Sequence, residues 1–404
     1  MSGSQITVVG VGADGWAGLP ESSRSALAAA EVLFGARRQL ALLPDLAVPA
    51  VALPTPLLPA LGELLDAHAG RRVAVLASGD PMHFGIGGTL ARLVGADRLR
   101  VLPHPSSVSL AAARLGWPLE EVAVHSACGR PVAGVLPSVQ PGRRLLVLSA
   151  GDGTPGALAG LLAARGYGAS RLVALAQLGG PGEERRDGTA AEWAARPPAV
   201  DPLHVLAVTC AADPGTPLLP ATPGLPDTAY DSDGQLTKRE VRAVTLARLA
   251  PVPGHLLWDV GGGAGSVAVE WARTHPGCRA VAVEQDPQRA ARLSRNAEAL
   301  GVPGVRVVTG TAPAALADLP APDAVFVGGG VTAPGMLERC HAALRPGGRL
   351  VVNAVTMESE ALVLRWHAEV GGDLSRIAVS RPAAVGGFTS WRPMLPVTQW
   401  TVVR

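Results

Sequence analysis

The stretch His255-Leu256-Leu257-Trp258-Asp259-Val260-Gly261-Gly262-Gly263-Ala264-Gly265-Ser266-Val267-Ala268-Val269-Glu270 constrains this chain more than any other. Its front is a short apolar strand, its middle is rich in glycine, and its end reads as a helix. Glycine lets a chain turn sharply and lets backbone approach a ligand where a side chain would collide. Strand, glycine turn and helix N-terminus together form the adenosine-binding corner of a doubly wound α/β domain. On this reading Gly261, Gly262, Gly263, Ala264 and Gly265 bind a cofactor.

Gly263 to Ala268 also satisfies the G-x-G-x-x-A form of the dinucleotide fingerprint, so an NAD-dependent oxidoreductase is one reading of the corner. A pyrophosphate, however, wants helix amides and no nearby negative charge. Here Asp259 closes the strand just before the glycines, and the loop carries no basic residue. That arrangement favours a cationic cofactor such as S-adenosylmethionine, which carries a sulfonium and an ammonium and no phosphate. Glu284 ends the next apolar run, Ala280-Val281-Ala282-Val283, at about 20 residues past the turn, where an acid accepts from ribose hydroxyls. A non-catalytic adenosine-binding scaffold would show the same features.

At 404 residues the chain is too long for one ordinary core and suggests two domains, and its 48% hydrophobic content supports globular packing in both. A net charge of +2 leaves no basic excess for a nucleic-acid footprint, and no apolar run is long enough to span a membrane. Cys128, Cys210, Cys278 and Cys340 lie far apart, without metal-ligand spacing or a disulfide pattern. No signal-peptide pattern is read at the N-terminus, and a reduced cytoplasm is the expected compartment.

The first strand, Gln5 to Val9, runs into Gly10-Val11-Gly12-Ala13-Asp14-Gly15, which fits G-x-G-x-x-G. A dinucleotide site needs a helix to start on those glycines, but Trp16-Ala17-Gly18-Leu19-Pro20 postpones it until about Glu21. Glu31 also precedes the second strand, Val32-Leu33-Phe34, where the fingerprint wants an acid at its end, so NAD is rejected here. A strand over Arg72 to Ala77 leads into the loop Ser78 to Gly87. Pro103 to Ser109 forms a third loop, whose serines cap a helix from Val108 to Leu115.

These loops resemble the tetrapyrrole methylase family, in the branch that acts on precorrin-6Y. Ile6 to Gly15, Phe34-Gly35-Ala36-Arg37-Arg38, Leu76 to Gly87 and His104 to Trp117 look like successive family blocks. The resemblance implies two α/β subdomains with S-adenosylmethionine in the cleft between them. Gly12, Gly79, Asp80, Met82 and Ser107 would then face cofactor, and Asp14 would face substrate. The second subdomain is expected to hold strands at Arg144 to Leu148, Arg171 to Gln177 and Leu203 to Val208, with a helix from Pro155 to Arg165.

Pro214, Pro217, Pro220, Pro223 and Pro226 recur at every third residue, the period of a polyproline turn, and read as a semi-rigid spacer. The expected domains are thus residues 1–210 and 230–404, joined by a proline-rich linker over 211–229. A helix then starts near Thr237, with Thr237 as cap and Glu240 as capping-box partner. Strands near Leu256, Ala280, Val305, Ala324 and Leu350 alternate with helices near Ser266, Pro287, Ala314, Pro334 and Ser359. Ile377 to Ser380 and Thr398 to Val403 are expected to close a seven-stranded sheet.

That pattern resembles a Rossmann-like class I methyltransferase. Thr237-Lys238, Asp259 to Ser266, Glu284, Gly310-Thr311-Ala312, Phe326 to Gly330 and Val352 to Thr356 resemble the decarboxylating partner of the same precorrin pathway. Thr237 and Ala312 would add to the cofactor site. Thr311 stands where the family usually has Asp, and the run Gly328-Gly329-Gly330 leaves room for a broad ring. Together the two resemblances imply an enzyme that methylates precorrin-6Y at carbons 5 and 15 and decarboxylates the ring C acetate, giving precorrin-8. They imply one S-adenosylmethionine per domain, no metal and a homo-oligomer. No catalytic dyad is expected, because methyl transfer and decarboxylation on an electron-rich macrocycle depend mainly on positioning.

Overall fold

The computed structural model describes residues 5–54 and 56–404. They divide into two compact units, one of residues up to Val132 with Pro141–Thr216, the other of Ala133–Gln140 with Pro217–Arg404.

In the first unit, β1 (Ile6–Val11), β2 (Val32–Gly35), β3 (Ala50–Ala52), β4 (Val73–Ser78) and β5 (Leu99–Leu102) form a parallel sheet in the order β3-β2-β4-β1-β5. The central strands are near-continuous apolar runs, as a sheet covered on both faces requires, and Val8, Val75 and Phe34 are fully buried. Because all five strands run the same way, the loops after β1, β2, β4 and β5 gather at one edge, where open α/β sheets bind ligands. The long helix after β1 starts at Glu21, as the prolines and glycines around it require, and a single turn over Gly15–Gly18 fills the gap.

A second sheet of the same unit comprises β6 (Val122–Ser126), β7 (Arg144–Leu148), β8 (Arg171–Ala176), β9 (Glu184–Thr189) and β10 (His204–Thr209), in the order β6-β7-β10-β8-β9. The three expected strands lie at its centre, with a helix at Thr154–Ala163. The two unexpected strands are its edges. β9 reads Glu-Arg-Arg-Asp-Gly-Thr, and such charge is a usual guard on an open edge.

The second unit carries β11 (Leu256–Val260), β12 (Arg279–Glu284), β13 (Arg306–Thr309), β14 (Ala324–Val327), β15 (Arg349–Ala354), β16 (Asp373–Ile377), β17 (Ser380–Val385), β18 (Phe388–Pro393) and β19 (Val397–Val403). Its seven-stranded sheet has the order β13-β12-β11-β14-β15-β19-β16, with β19 antiparallel to both neighbours. The strand expected over Ile377 to Ser380 is shifted. β16 ends at Ile377, Leu374 pairing with Trp400, and Ser380 instead opens the separate hairpin β17–β18. The helix expected near Ala314 is one 3-10 turn over Ala314–Leu316.

One expectation about the entry to this unit is corrected. Thr237 does not cap the helix Arg239–Leu249: Lys238 holds the cap position without a side-chain bond, and the Arg239 N–H donates to Asp227 Oδ1 at 3.0 Å. The segment beyond Thr216 also makes contacts with this unit. Leu225 is buried, the Glu270 carboxylate accepts from the Gly224 and Leu225 N–H groups at 2.6 and 3.0 Å, and Arg273 Nη2 donates to Leu219 O at 2.6 Å.

The buried Arg242 guanidinium donates through Nε to Glu270 Oε1 at 2.6 Å and through Nη1 to Asp227 Oδ1 at 3.2 Å, while Tyr230 OH donates to Glu270 Oε1 at 3.0 Å. Removing one partner of such a pair strands the other in a dry interior. Glu270→Ala should therefore destabilise the second unit by about 3–5 kcal/mol. Denaturant unfolding checks the size, and loss of hydrogen-exchange protection at Gly224 and Leu225 checks the location.

Candidate functional site

The glycine turn lies at the carboxyl end of β11, beside the ends of β12 and β14, and opens onto a cavity of about 860 Å³. Gly261 has φ +74°, and a Cβ there would stand 3.0 Å from the backbone N of Gly329, so the close approach of the two loops needs glycine. Thr237, Gly261, Gly262, Gly263, Glu284 and Ala312 all line this cavity. Ala264 and Gly265 do not. The turn dips below the surface there: Ala264 O accepts from Asn296 Nδ2 at 2.8 Å, and a Cβ on Gly265 would meet Leu293 Cγ at 2.4 Å. These two residues serve the packing of the turn on the helix Pro287–Ala299.

Glu284 is almost wholly buried. Its Oε2 accepts from the Gly263 N–H at 2.8 Å and its Oε1 from the Asp286 N–H at 3.0 Å. Its carboxylate is thereby fixed at the cavity wall, against the glycine turn. A carboxylate so placed can accept from a ligand's vicinal hydroxyls.

Asp259 corrects part of the electrostatic argument. It lines the cavity, but the side chain is buried and Oδ2 accepts from the Ala268 N–H at 2.9 Å. Burial pushes its carboxyl up to about 7; the bond from Ala268 opposes the shift, and the negative charge of Glu284 adds to it. Near neutral pH Asp259 is thus only partly ionised, which a strand-end Asp read from sequence does not disclose.

Gly328, Gly329 and Gly330, read from sequence as room for a ring, also line the cavity, whereas other parts of the wall carried no assigned role. Lys238 lines it with Nζ held on Gly234 O at 3.0 Å, and Val355, Ile377, Val379, Met394, Leu395 and Val397 make an apolar end. The last five flank the β17–β18 hairpin, and their only sequence signal is hydrophobicity.

In the first unit Gly12, Gly79 and Ser107 line one cavity of about 80 Å³, together with Arg38, Leu175, Leu203 and His204. Asp80 and Met82 are not among its lining residues. Asp80 Oδ1 accepts from the Met82 N–H at 2.8 Å in a local turn, and Met82 is 53% exposed. Asp14 lines a neighbouring cavity of about 290 Å³, which shares Pro105, Leu110 and Leu178 with the first. His104 Nε2 stands 3.4 Å from Asp14 Oδ2, and Asp14 Oδ1 is buried without a hydrogen-bond partner among the described residues. Arg38 and His204 were missed; the position of Arg38, just past β2, was the available signal.

Comparison with known proteins matches residues 5–194 to the family described as Tetrapyrrole (Corrin/Porphyrin) Methylases and residues 228–404 to the Precorrin methyltransferase domain. A protein of Sinorhizobium sp named precorrin-6Y C(5,15)-methyltransferase (decarboxylating) is 48% identical, over 98% of this chain and 95% of its own. One of the same name from Mycobacterium tuberculosis (strain CDC 1551 / Oshkosh) is 49% identical, over 99% of this chain and 100% of its own. Among solved structures, the C-terminal domain of precorrin-6Y C5,15-methyltransferase from Rhodobacter capsulatus is 46% identical and covers 46% of this chain and 100% of its own, with a TM-score of 0.44.

Asp259 generates a pH prediction. Its folded pKa of about 7 lies above the ordinary 3.8, so its contribution to stability is fully present below about pH 4 and is lost as pH rises through about 7. Asp259→Asn keeps an acceptor for Ala268 and should remove that loss. The second unit of the variant should exceed wild type by about 2–4 kcal/mol near pH 8, with the gap closing toward pH 4, as read by denaturant unfolding across that range.

Proposed function

The chain belongs to the precorrin-6Y C(5,15)-methyltransferase (decarboxylating) family, and from that premise we propose that its two units divide the family's reaction between them. It is an S-adenosylmethionine-dependent enzyme of corrin biosynthesis, methylating precorrin-6Y at carbons 5 and 15 and decarboxylating the ring C acetate to give precorrin-8. On our reading the tetrapyrrole methylase unit methylates carbon 5. The class I unit methylates carbon 15 and releases carbon dioxide. Each holds its own cofactor, with the domains running over 1–210 and 230–404. Cytoplasmic location and homo-oligomeric assembly belong to the same reading.

The observation that carries the division is the presence, in each unit, of a separate cavity at the carboxyl ends of parallel strands. In the second unit the residues fit the cofactor. Glu284 offers carboxylate oxygens to ribose, and the backbone of Gly261 to Gly263 and of Ala312 lets an adenosyl group lie close, with Thr237 opposite. At about 860 Å³ the cavity stands near the top of the ~300–1,000 Å³ range of small-molecule sites, so a ring can share it. S-adenosylmethionine supplies an electrophilic methyl group when bound. The chain's part is to hold the macrocycle carbon in line and to keep water out. For decarboxylation the apolar end formed by Val355, Ile377, Val379 and Val397 offers the acetate a shielded seat, and the conjugated ring takes up the electron pair. Gly12, Gly79 and Ser107 play the cofactor role in the first unit, with Asp14 toward the substrate.

Mass spectrometry of precorrin-6Y incubated with the enzyme and S-adenosylmethionine should find two added methyls and one lost carboxyl. Glu284→Ala should weaken cofactor binding in the second unit at least about tenfold, slowing carbon 15 methylation and decarboxylation together while carbon 5 methylation continues. Equal slowing at carbon 5 in a folded variant would refute the division.

A further inference from the structure

Arg38 is a guanidinium set in the wall of the first unit's cavity, and among the described residues it forms no ion pair with a carboxylate. It lies on the short helix Arg37–Leu40 that follows β2, and it lines the cavity beside Gly12, Gly79 and Ser107. Its hydrogen bond runs from Nη2 to the neutral Ser78 Oγ at 3.0 Å. The neighbouring Gln39 is buried and donates to the same hydroxyl at 3.0 Å, while its Oε1 accepts from the Ala36 N–H at 2.8 Å. Ser78 and the turn that carries Arg38 are thus fixed to each other. None of the residues lining this cavity is a carboxylate. Asp201 acts on Arg38 only through space, and its own carboxylate is taken by the Leu203 N–H at 2.8 Å and by Gln177. Arg38 is exposed as a whole, and partial burial of its guanidinium lowers its pKa, a shift that a bound anion would oppose.

A planar guanidinium held at one edge, with no other side-chain hydrogen bond among the described residues, suits a carboxylate, which it can grip through two parallel hydrogen bonds. We propose that Arg38 is the carboxylate anchor of the first unit's site. The inference rests on the assignment of carbon 5 methylation to this unit. Two sources of carboxylate meet there in that reaction: the methionyl part of the cofactor, and the acetate and propionate groups of the tetrapyrrole. Either would be oriented by Arg38 at the ends of β1, β2 and β4, and the macrocycle carbon would be aligned with it.

The test uses the full-length chain. Arg38→Gln and Ser78→Ala are assayed for carbon 5 methylation of precorrin-6Y, with kcat and KM measured for each reactant, and Arg38→Lys is run for rescue. Arg38→Gln should lower kcat/KM for carbon 5 methylation by about thirtyfold, the scale of a lost charge-assisted pair. Arg38→Lys should recover part of that, while Ser78→Ala should cost no more than about threefold. If the partner is the cofactor's carboxylate, KM for S-adenosylmethionine rises, and with decarboxylated S-adenosylmethionine as donor the variant and wild type become equal. If the partner is on the tetrapyrrole, its KM rises alone. Decarboxylation of substrate already methylated at carbon 5 should stay at the wild-type rate and reports that the chain is folded. Arg38→Gln with kcat and both KM values within about twofold of wild type, or Ser78→Ala as damaging as Arg38→Gln, would overturn the role of Arg38. A wild-type chain that leaves carbon 5 unmethylated would instead overturn the reading on which it rests.

Discussion

The second unit depends on the buried pair of Arg242 and Glu270. Taking two charges out of water costs several kcal/mol each, and attraction alone does not recover it unless the remaining lone pairs and protons are also satisfied. Here they are. Arg242 reaches Glu270, Asp227 and the carbonyls of Leu225 and Thr237, and its guanidinium stands 5.0 Å from the centre of the Tyr230 ring. Glu270 accepts in addition from Gly224, Leu225 and Tyr230. Lysine, a point charge with three donors, could not reach these acceptors from one position; the planar fork can. The pair therefore acts as a clasp at the start of the segment from Gly224 to Lys238, whose later part is held by Asn296 and by Arg289, Arg292 and Arg295 on Asp231 and Asp233.

That segment is what the site needs. Gln235, Leu236, Thr237 and Lys238 form one wall of the large cavity, adjoining the glycine turn where Gln235 O lies beside Gly263. Asn296 fastens the same strap further along, its Oδ1 accepting from the Asp231 N–H at 3.0 Å and its Nδ2 donating to Asp231 O and Ala264 O at 2.9 and 2.8 Å. One amide thus ties strap and turn to a single helix, so the two walls keep their spacing. Polar groups this deeply buried are costly if any bond is missing, and that makes the geometry specific.

Sequence made the strands of the central sheets legible because they are buried on both faces and so read as apolar runs: Val73 to Ala77, Leu256 to Trp258 and Ala280 to Val283 stand out unaided. Elements whose stability comes from neighbours were not legible. β9 is charged and exists as an edge on β8, while the β17–β18 hairpin interrupts the run between β16 and β19 with Pro382 and Gly386-Gly387. The cap failed for the same reason. Local spacing favoured Thr237 with Glu240, but Asp227, twelve residues upstream of Arg239, takes the donor, and Glu240 turns to Arg381 at 2.6 Å. At the glycine turn spacing identified the corner, but it could not separate Gly263, which faces the cavity, from Gly265, which makes way for Leu293.

The two acids of that corner share one electrostatic problem and solve it differently. Glu284 sits at the wall, where its carboxylate oxygens accept from two backbone N–H groups. Asp259 lies deeper, has one such donor, and feels both burial and the charge of Glu284, so its proton is retained to about pH 7. Two fully ionised carboxylates at this depth would repel each other and weaken the turn between them. A cationic group entering the cavity shifts that balance toward ionised Asp259, because opposite charge favours the charged form. Near neutral pH a cation thus raises the share of Asp259 that is ionised. An anionic pyrophosphate would act in the opposite sense, holding the proton on Asp259 while meeting the charge of Glu284. Asp259 is therefore not a fixed charge at the strand end, and its burial, more than the charge of Glu284, sets how readily it ionises.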